Sequence, residues 1–159
     1  HDALPIWHIP TTQSWTHPFF AEPFPNFNRI TSIFNDGFTV GNEIGVNANG
    51  VKYHYAAFKK VAGVMNLGAY GGNGISGKAI NGVGFMPEDV WVFGEAGNGG
   101  TLPVHHPRVL AGDNTLAFSN FSKMSNLISA ILNDGFQIEN NVIVNQQPMT
   151  YAWLAWAKK

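Results

Sequence analysis

The sequence predicts an all-β protein, built as an antiparallel β-sandwich or jelly roll in which one unit occurs twice. Three observations support this prediction. Short apolar runs are separated by turns rich in Gly and Asn, apolar residues almost never follow helical spacing, and two segments align without a gap at an offset of 98 residues. Many short strands joined by tight turns are typical of antiparallel sandwiches and jelly rolls.

The repeat is clearest where residues 33–38 align with 131–136, because both segments contain Asn-Asp-Gly-Phe. The full alignment has 17 identities over 61 positions. Residues 64–98, which we call the front section, have no counterpart in the first copy, because the equivalent positions would precede His1. The sequence therefore predicts an incomplete first repeat at 1–63 and a complete second repeat at 64–159. We call 1–63 and 99–159 the first and second back sections.

Tight turns and apolar runs define the predicted strands. An Asn-Asp-Gly turn between two apolar runs is a strong signal for a β-hairpin, and the chain contains this signal once in each back section. Two aromatic-rich strands occupy equivalent positions near the ends of the back sections. The predicted strands are 29–34, 37–41, 52–59, 65–71, 78–83, 88–94, 127–132, 136–140 and 150–157.

Composition excludes several classes of function. The net charge is −1, only 12% of residues are charged, and the nine basic residues form no stripe, so nucleic acid is not an expected partner. The chain has no cysteine and no apolar run long enough to span a bilayer. Because it starts at His1 without Met, we expect either a removed leader or a start inside a longer product. A weakly charged surface suits an extracellular, cell-surface or virion protein.

Catalytic and metal chemistry have little support in the sequence. The chain contains no nucleophile elbow, no phosphate-binding Walker loop and no zinc-peptidase motif. The weak candidates for metal ligands are His8, His105 and His106, but adjacent residues of an extended chain point in opposite directions, and a site needs three or four converging donors. We therefore expect no enzyme activity and no cofactor.

Aromatic side chains are the main candidates for an interaction surface. Segment 18–27 contains four Phe and three Pro, and could fill the core of its own domain or act as a docking arm. Segments 90–93 and 151–156 are apolar on both faces, which fits either the middle of a sandwich or a face covered by a neighbouring subunit. The candidate assembly residues are Phe19, Phe20, Phe24, Phe27, Trp91, Phe93, Trp153 and Trp156. The candidates for stacking on sugars, which could equally fill a core or an interface, are Trp7, Trp15 and Trp91.

Several motifs resemble a lectin-like domain found in phage structural proteins and secreted bacterial surface proteins. They are Tyr-Gly-Gly-Asn-Gly at 70–74, the segment 82–92, Asn-Asp-Gly-Phe at 133–136, Asn145 and Tyr-Ala-Trp at 151–153, and the first copy matches the later motifs. The resemblance implies a sandwich that occurs in tail-associated or surface assemblies, and it brings no catalytic residues. The chain departs from the family pattern where a strand that usually ends in Lys reads Phe93-Gly94.

Two back sections and one front section leave an imbalance. A sandwich without its front strands exposes apolar surface and unpaired strand edges. The two back sections could pack around the single front section, a front segment cleaved before His1 could remain bound, or strand edges could pair between subunits.

From this imbalance we expect a non-enzymatic structural subunit that assembles with copies of itself. The expected product is an extracellular filament, tube or virion-associated assembly. The alternative is a carbohydrate-binding adhesin, a lectin-like module whose partners are surface glycans.

Overall fold

The computed structural model describes residues 6–8, 16–18, 28–94, 102–119 and 123–158. Within these ranges the chain is mostly β, with antiparallel strand pairs, which confirms the all-β prediction. The strands are β1 (Ile6–His8), β2 (Thr16–Pro18), β3 (Ile30–Ile33), β4 (Phe38–Val40), β5 (Met65–Gly71), β6 (Lys78–Asn81), β7 (Pro87–Gly94), β8 (Val104–Pro107), β9 (Leu116–Ala117), β10 (Ile128–Leu132), β11 (Gly135–Ile138) and β12 (Thr150–Ala157).

Two short helices accompany these strands, α1 (Ile44–Asn47) and α2 (Val142–Asn145). Each begins after a side chain that accepts a hydrogen bond from a backbone amide of the first turn: Glu43 accepts from Gly45 N and Asn141 from Ile143 N. No helix among the described residues is long and apolar enough to cross a membrane.

Strands of the front section and of the second back section lie side by side within the same sheets. The five-stranded sheet has the order β5-β12-β7-β8-β9, so β12 lies between two strands of the front section. In the three-stranded sheet, β10-β11-β6, the front section supplies the strand beside β11. Each of the two larger sheets therefore needs strands from both sections. The two remaining sheets are the pairs β1-β2 and β3-β4.

Both larger sheets contribute to one hydrophobic core, and a second cluster covers the other face of β12. Tyr151, Trp153 and Ala155 belong to the first core, whereas Ala152 and Leu154 belong to the second cluster. This division explains why segment 151–156 is apolar at every position. The chain itself covers both faces of the strand, and complete burial of each large side chain contributes about 1.5–3 kcal/mol.

Asn145 joins the front section to the second back section through a buried side-chain amide. Its Nδ2 donates to Ile75 O at 2.9 Å and to Glu139 O at 3.0 Å, and its Oδ1 accepts from Asn73 N at 2.9 Å. Its side chain is fully buried. One buried side chain thus has all three of its hydrogen bonds satisfied by backbone groups of both sections.

The two back sections contain the same local hydrogen bonds at positions 98 residues apart. Tyr53 Oη donates to Ile44 O at 2.8 Å and accepts from Ala48 N at 3.1 Å. Tyr151 makes the same two bonds around α2, at 2.8 and 2.9 Å. Asn47 Nδ2 donates to a backbone oxygen at 2.8 Å, as Asn145 does. The hairpin, helix and tyrosine therefore have the same arrangement in both sections.

The prediction of a strand at 52–59 is wrong, although its counterpart at 150–157 is β12. The two segments differ in the strands that lie beside them. β12 pairs with β5 on one side and β7 on the other, whereas in the described part of the chain no strand lies beside 52–59. The apolar pattern therefore gives a strand only where partners are present.

We expect Asn145→Ala to lower the free energy of unfolding by about 3 kcal/mol, because it leaves three backbone groups without their partner. The matched control is Asn47→Ala, which should cost less than about 1 kcal/mol because Asn47 is exposed and, among the described residues, its side chain bonds only Gly41 O. Urea denaturation of the two variants measures the difference. Equal losses would contradict the role assigned to Asn145.

Glu139 is a second polar link between the sections. Its Oε2 accepts from Gly77 N at 3.1 Å and from Ser76 Oγ, and its Oε1 accepts from Gln137 Nε2 at 3.2 Å. Hydrogen bonds from Ser129 and Ser76, with smaller contributions from Gln137 and Gly77, lower the pKa of Glu139 to about 2. The ionised carboxylate therefore stabilises the folded chain.

The stability that Glu139 contributes should be complete above pH 4.5 and lost as the pH falls toward 2. The sign follows because the folded pKa lies below the ordinary value, so the unfolded chain binds the proton first. We expect Glu139→Gln to flatten the dependence of the unfolding free energy on pH between these limits. Urea denaturation as a function of pH measures this slope, and parallel curves for the variant and the unmodified chain would rule the link out.

Candidate assembly surface

The outer edge of β4 has no strand partner among the described residues, whereas the equivalent edge of β11 is paired. β6 of the front section pairs along β11 of the second back section, with Phe136 opposite Ile80. β4 occupies the equivalent position in the first back section, and among the described strands it pairs with β3 alone. Successive residues of an antiparallel strand alternate in the direction of their backbone groups. Because Gly41 N donates to the β3 side, the amides of Phe38 and Val40 point to the open edge.

Three side chains of the first back section are exposed, although their counterparts in the second back section are buried. The exposed fractions are 37% for Val40 against 0% for Ile138, 42% for Val51 against 7% for Met149, and 76% for Tyr55 against 5% for Trp153. Phe58 is 61% exposed as well, although its counterpart Trp156 is itself only partly buried. We call the edge of β4 together with Val40, Val51, Tyr55 and Phe58 the open surface.

One aromatic contact of the covered section recurs at the open surface. The rings of Phe38 and Tyr55 meet edge to face with centroids 5.0 Å apart, and their counterparts Phe136 and Trp153 meet edge to face at 6.1 Å. In the second back section Tyr70 of the front section packs on Phe136. The first back section therefore presents the same aromatic pair without the tyrosine that covers it among the described residues.

The aromatic residues predicted from the sequence lie in three situations. Phe19, Phe20, Phe24, Phe27 and Trp15 are outside the described residues, and of Trp7 only the backbone of β1 is described. Phe93 and Trp153 are buried in the chain's own cores. Trp91 packs on Phe118 at 4.8 Å and on Trp156 at 4.5 Å, which builds the second cluster.

Trp156 also connects the two back sections. Its ring meets Phe58 edge to face, with the centroids 6.3 Å apart. Phe58 nevertheless remains mostly exposed, so this contact covers only part of the open surface.

Sequence reasoning did not select the side chains of the open surface. The sequence candidates came from a segment rich in Phe and Pro and from two segments that are apolar on both faces, and Tyr55 lies in none of them. The signal that could have found Val40, Val51 and Tyr55 was the repeat itself. Each of them aligns with a residue that needs the front section to become buried.

The histidines do not form a metal site within the described ranges, where no three His, Cys, Asp or Glu side chains converge. His106 is buried, with its Nδ1 2.7 Å from Asn114 O, and burial lowers its pKa. His105 lies against Phe118 and 3.6 Å from Asp89 Oδ1. His8 lies in β1, opposite Thr16 of β2. His105 and His106 thus contact different residues and do not converge on one position.

A cleft of about 490 Å³ lies on another part of the surface and has a mixed lining that includes Met86, His106, Arg108 and Ser129. The Arg108 guanidinium donates to Glu88 Oε1 at 2.9 Å, so its charge is already paired. The cleft offers one neutralised cation and a buried imidazole, which is insufficient to define a reaction.

We expect the amides of Phe38 and Val40 to exchange with solvent much faster than those of Phe136 and Ile138. The difference should reach at least about 100-fold, which corresponds to about 3 kcal/mol in opening free energy. Hydrogen exchange on dilute, unassembled chain measures it. Equal protection of β4 and β11 would show that β4 is covered.

The open surface has to be interpreted from the geometry of this chain. No protein-family model matches the sequence, and neither a curated protein nor a solved structure matches it. The comparison that bears on function is therefore internal, between the covered second back section and the open first one.

Proposed function

We propose that this chain is a non-enzymatic structural subunit that assembles with copies of itself into an extracellular filament, tube or virion-associated assembly. The contacts are strand edges and aromatic surfaces. The observation that supports this most directly is the open surface, where a strand edge without a partner among the described residues lies beside exposed aromatic side chains.

We also propose that the two larger sheets form a β-sandwich and that the back sections are copies of one unit. The shared hydrogen bonds of Tyr53 and Tyr151, 98 residues apart, support the duplication. So does the pairing of β1 with β2, because β8 and β9 pair antiparallel at nearly equivalent positions. The sandwich is supported by the core to which both sheets contribute.

The physical reason for assembly is the cost of leaving such a surface in water. Outward amides and carbonyls of an edge strand accept another strand readily, and exposed aromatic rings gain free energy when a partner covers them. With a net charge of −1, long-range repulsion between copies is small. A contact between two different patches repeats from subunit to subunit, and such an open series forms a filament or tube.

We expect Val40→Asp to raise the concentration needed for assembly by at least about tenfold, because burying an unpaired carboxylate costs well over 1.4 kcal/mol. The matched control is Thr39→Asp, which adds the same charge one residue away, on the opposite face of β4. Negative-stain microscopy and sedimentation of both variants measure the effect. Monodisperse monomers of the unmodified chain at high concentration would disprove assembly.

A further inference from the structure

We infer that the open surface is a receptor for an additional front section. The segment that binds there is a polypeptide with two strands. One resembles β5 and leads into a Tyr-Gly-Gly-Asn-Gly turn, and the other resembles β6 and is followed by Gly-x-Gly. This inference rests on the proposed function in that it uses the same surface, and it names the segment that fits there. The chain's own front section is already occupied by the second back section.

The edge of β4 fits a strand like β6. In the second back section, Phe136 pairs with Ile80 and Ile138 pairs with Lys78. The equivalent positions on β4 are Phe38 and Val40, whose amides point to the open edge. An added strand would therefore pair in the same register and cover Val40.

A socket for a tyrosine side chain lies beside this edge. Tyr70 stacks on Tyr151 with ring centroids 5.2 Å apart, and its Oη donates to Val144 O at 2.7 Å. Its ring also contacts Phe136 at 6.3 Å. The equivalent residues of the first back section, Phe38, Val46 and Tyr53, are identical in type.

Two polar side chains that bind the front section also recur. Asp134 accepts hydrogen bonds from Gly82 N at 3.2 Å and from Gly84 N. Its counterpart Asp36 is exposed and accepts no hydrogen bond from any described residue.

Asn145 has its counterpart in Asn47. Asn145 Oδ1 accepts from Asn73 N of the front section. Asn47 keeps the equivalent bond to Gly41 O, but within the described ranges no amide reaches its Oδ1.

The recurrence of these residues exceeds the general similarity of the two sections. Only 17 of 61 aligned positions are identical. Four side chains that contact the front section in the second copy are nevertheless identical at Asp36, Phe38, Asn47 and Tyr53. The apolar residues Ile138, Met149 and Trp153 are replaced by Val40, Val51 and Tyr55. Gly41 replaces Glu139, so the contact that Glu139 makes with Ser76 is not expected in the first copy.

The test is a fusion that places a second copy of residues 64–98 directly before His1. Residue 98 then precedes His1 as it precedes residue 99 in the second repeat, so the spacing is native. We expect the Phe38 and Val40 amides to exchange at least about 100-fold more slowly than in the unmodified chain. Unchanged exchange in the fusion would overturn the inference.

Two matched variants separate specific docking from general protection. Tyr70→Ala in the added segment alone empties the socket and should restore fast exchange at Val40. Asp36→Ala should speed exchange at Val40 at least about tenfold in the fusion and leave the unmodified chain unchanged. Protection that survives both substitutions would show that the segment covers β4 in some other way, and would also overturn the inference.

Failure of the inference is distinguishable from failure of assembly. If β4 is protected in the fusion but the unmodified chain never assembles, the open surface is a receptor and self-assembly is excluded. If the unmodified chain assembles but β4 stays unprotected in the fusion, self-assembly is supported and the receptor role is excluded. If both hold, the fusion should stay monomeric where the unmodified chain assembles.

Discussion

The pairing of β12 with two strands of the front section is the interaction on which the rest of the structure depends. Tyr151 lies opposite Tyr70 of β5, and Leu154 lies opposite Trp91 of β7. This position directs alternate side chains of β12 into two hydrophobic clusters and so covers both faces of the sheet. Residues 52–58, which lack strand neighbours among the described residues, form no strand despite a similar apolar pattern.

Polar side chains fix the position of the front-section turns. Gly82 and Gly84 have φ values of 85° and 88°, a conformation that favours glycine, and both amides donate to Asp134, although the two residues are exposed. Each such hydrogen bond contributes about 1 kcal/mol. In the first back section the equivalent Asp36 is exposed, so its carboxylate costs little when it has no partner among the described residues. The first back section can therefore keep its turn without a front section.

The sequence predicted features that depend on local interactions and missed those that depend on distant ones. Both Asn-Asp-Gly hairpins were predicted because a tight turn specifies its own flanking strands. Residues 52–59 were predicted as a strand because propensity does not reveal that neighbours are missing. Asp36 had no assigned role, since a turn position is sufficient reason for an aspartate. Its relevance emerges only from its counterpart Asp134 and the amides of Gly82 and Gly84, about 50 residues away in the sequence.

The shape of the open surface restricts what can cover it. The β3–β4 hairpin, α1 and Tyr53 already have the geometry of the covered section, so little conformational entropy is lost there when a partner binds. A single added strand would satisfy β4 and leave Tyr55 and Phe58 in water. Covering them requires residues 52–58 to become a strand, which in the second back section takes neighbours on both sides. The surface therefore favours a partner that presents several strands in a fixed relation over any isolated strand.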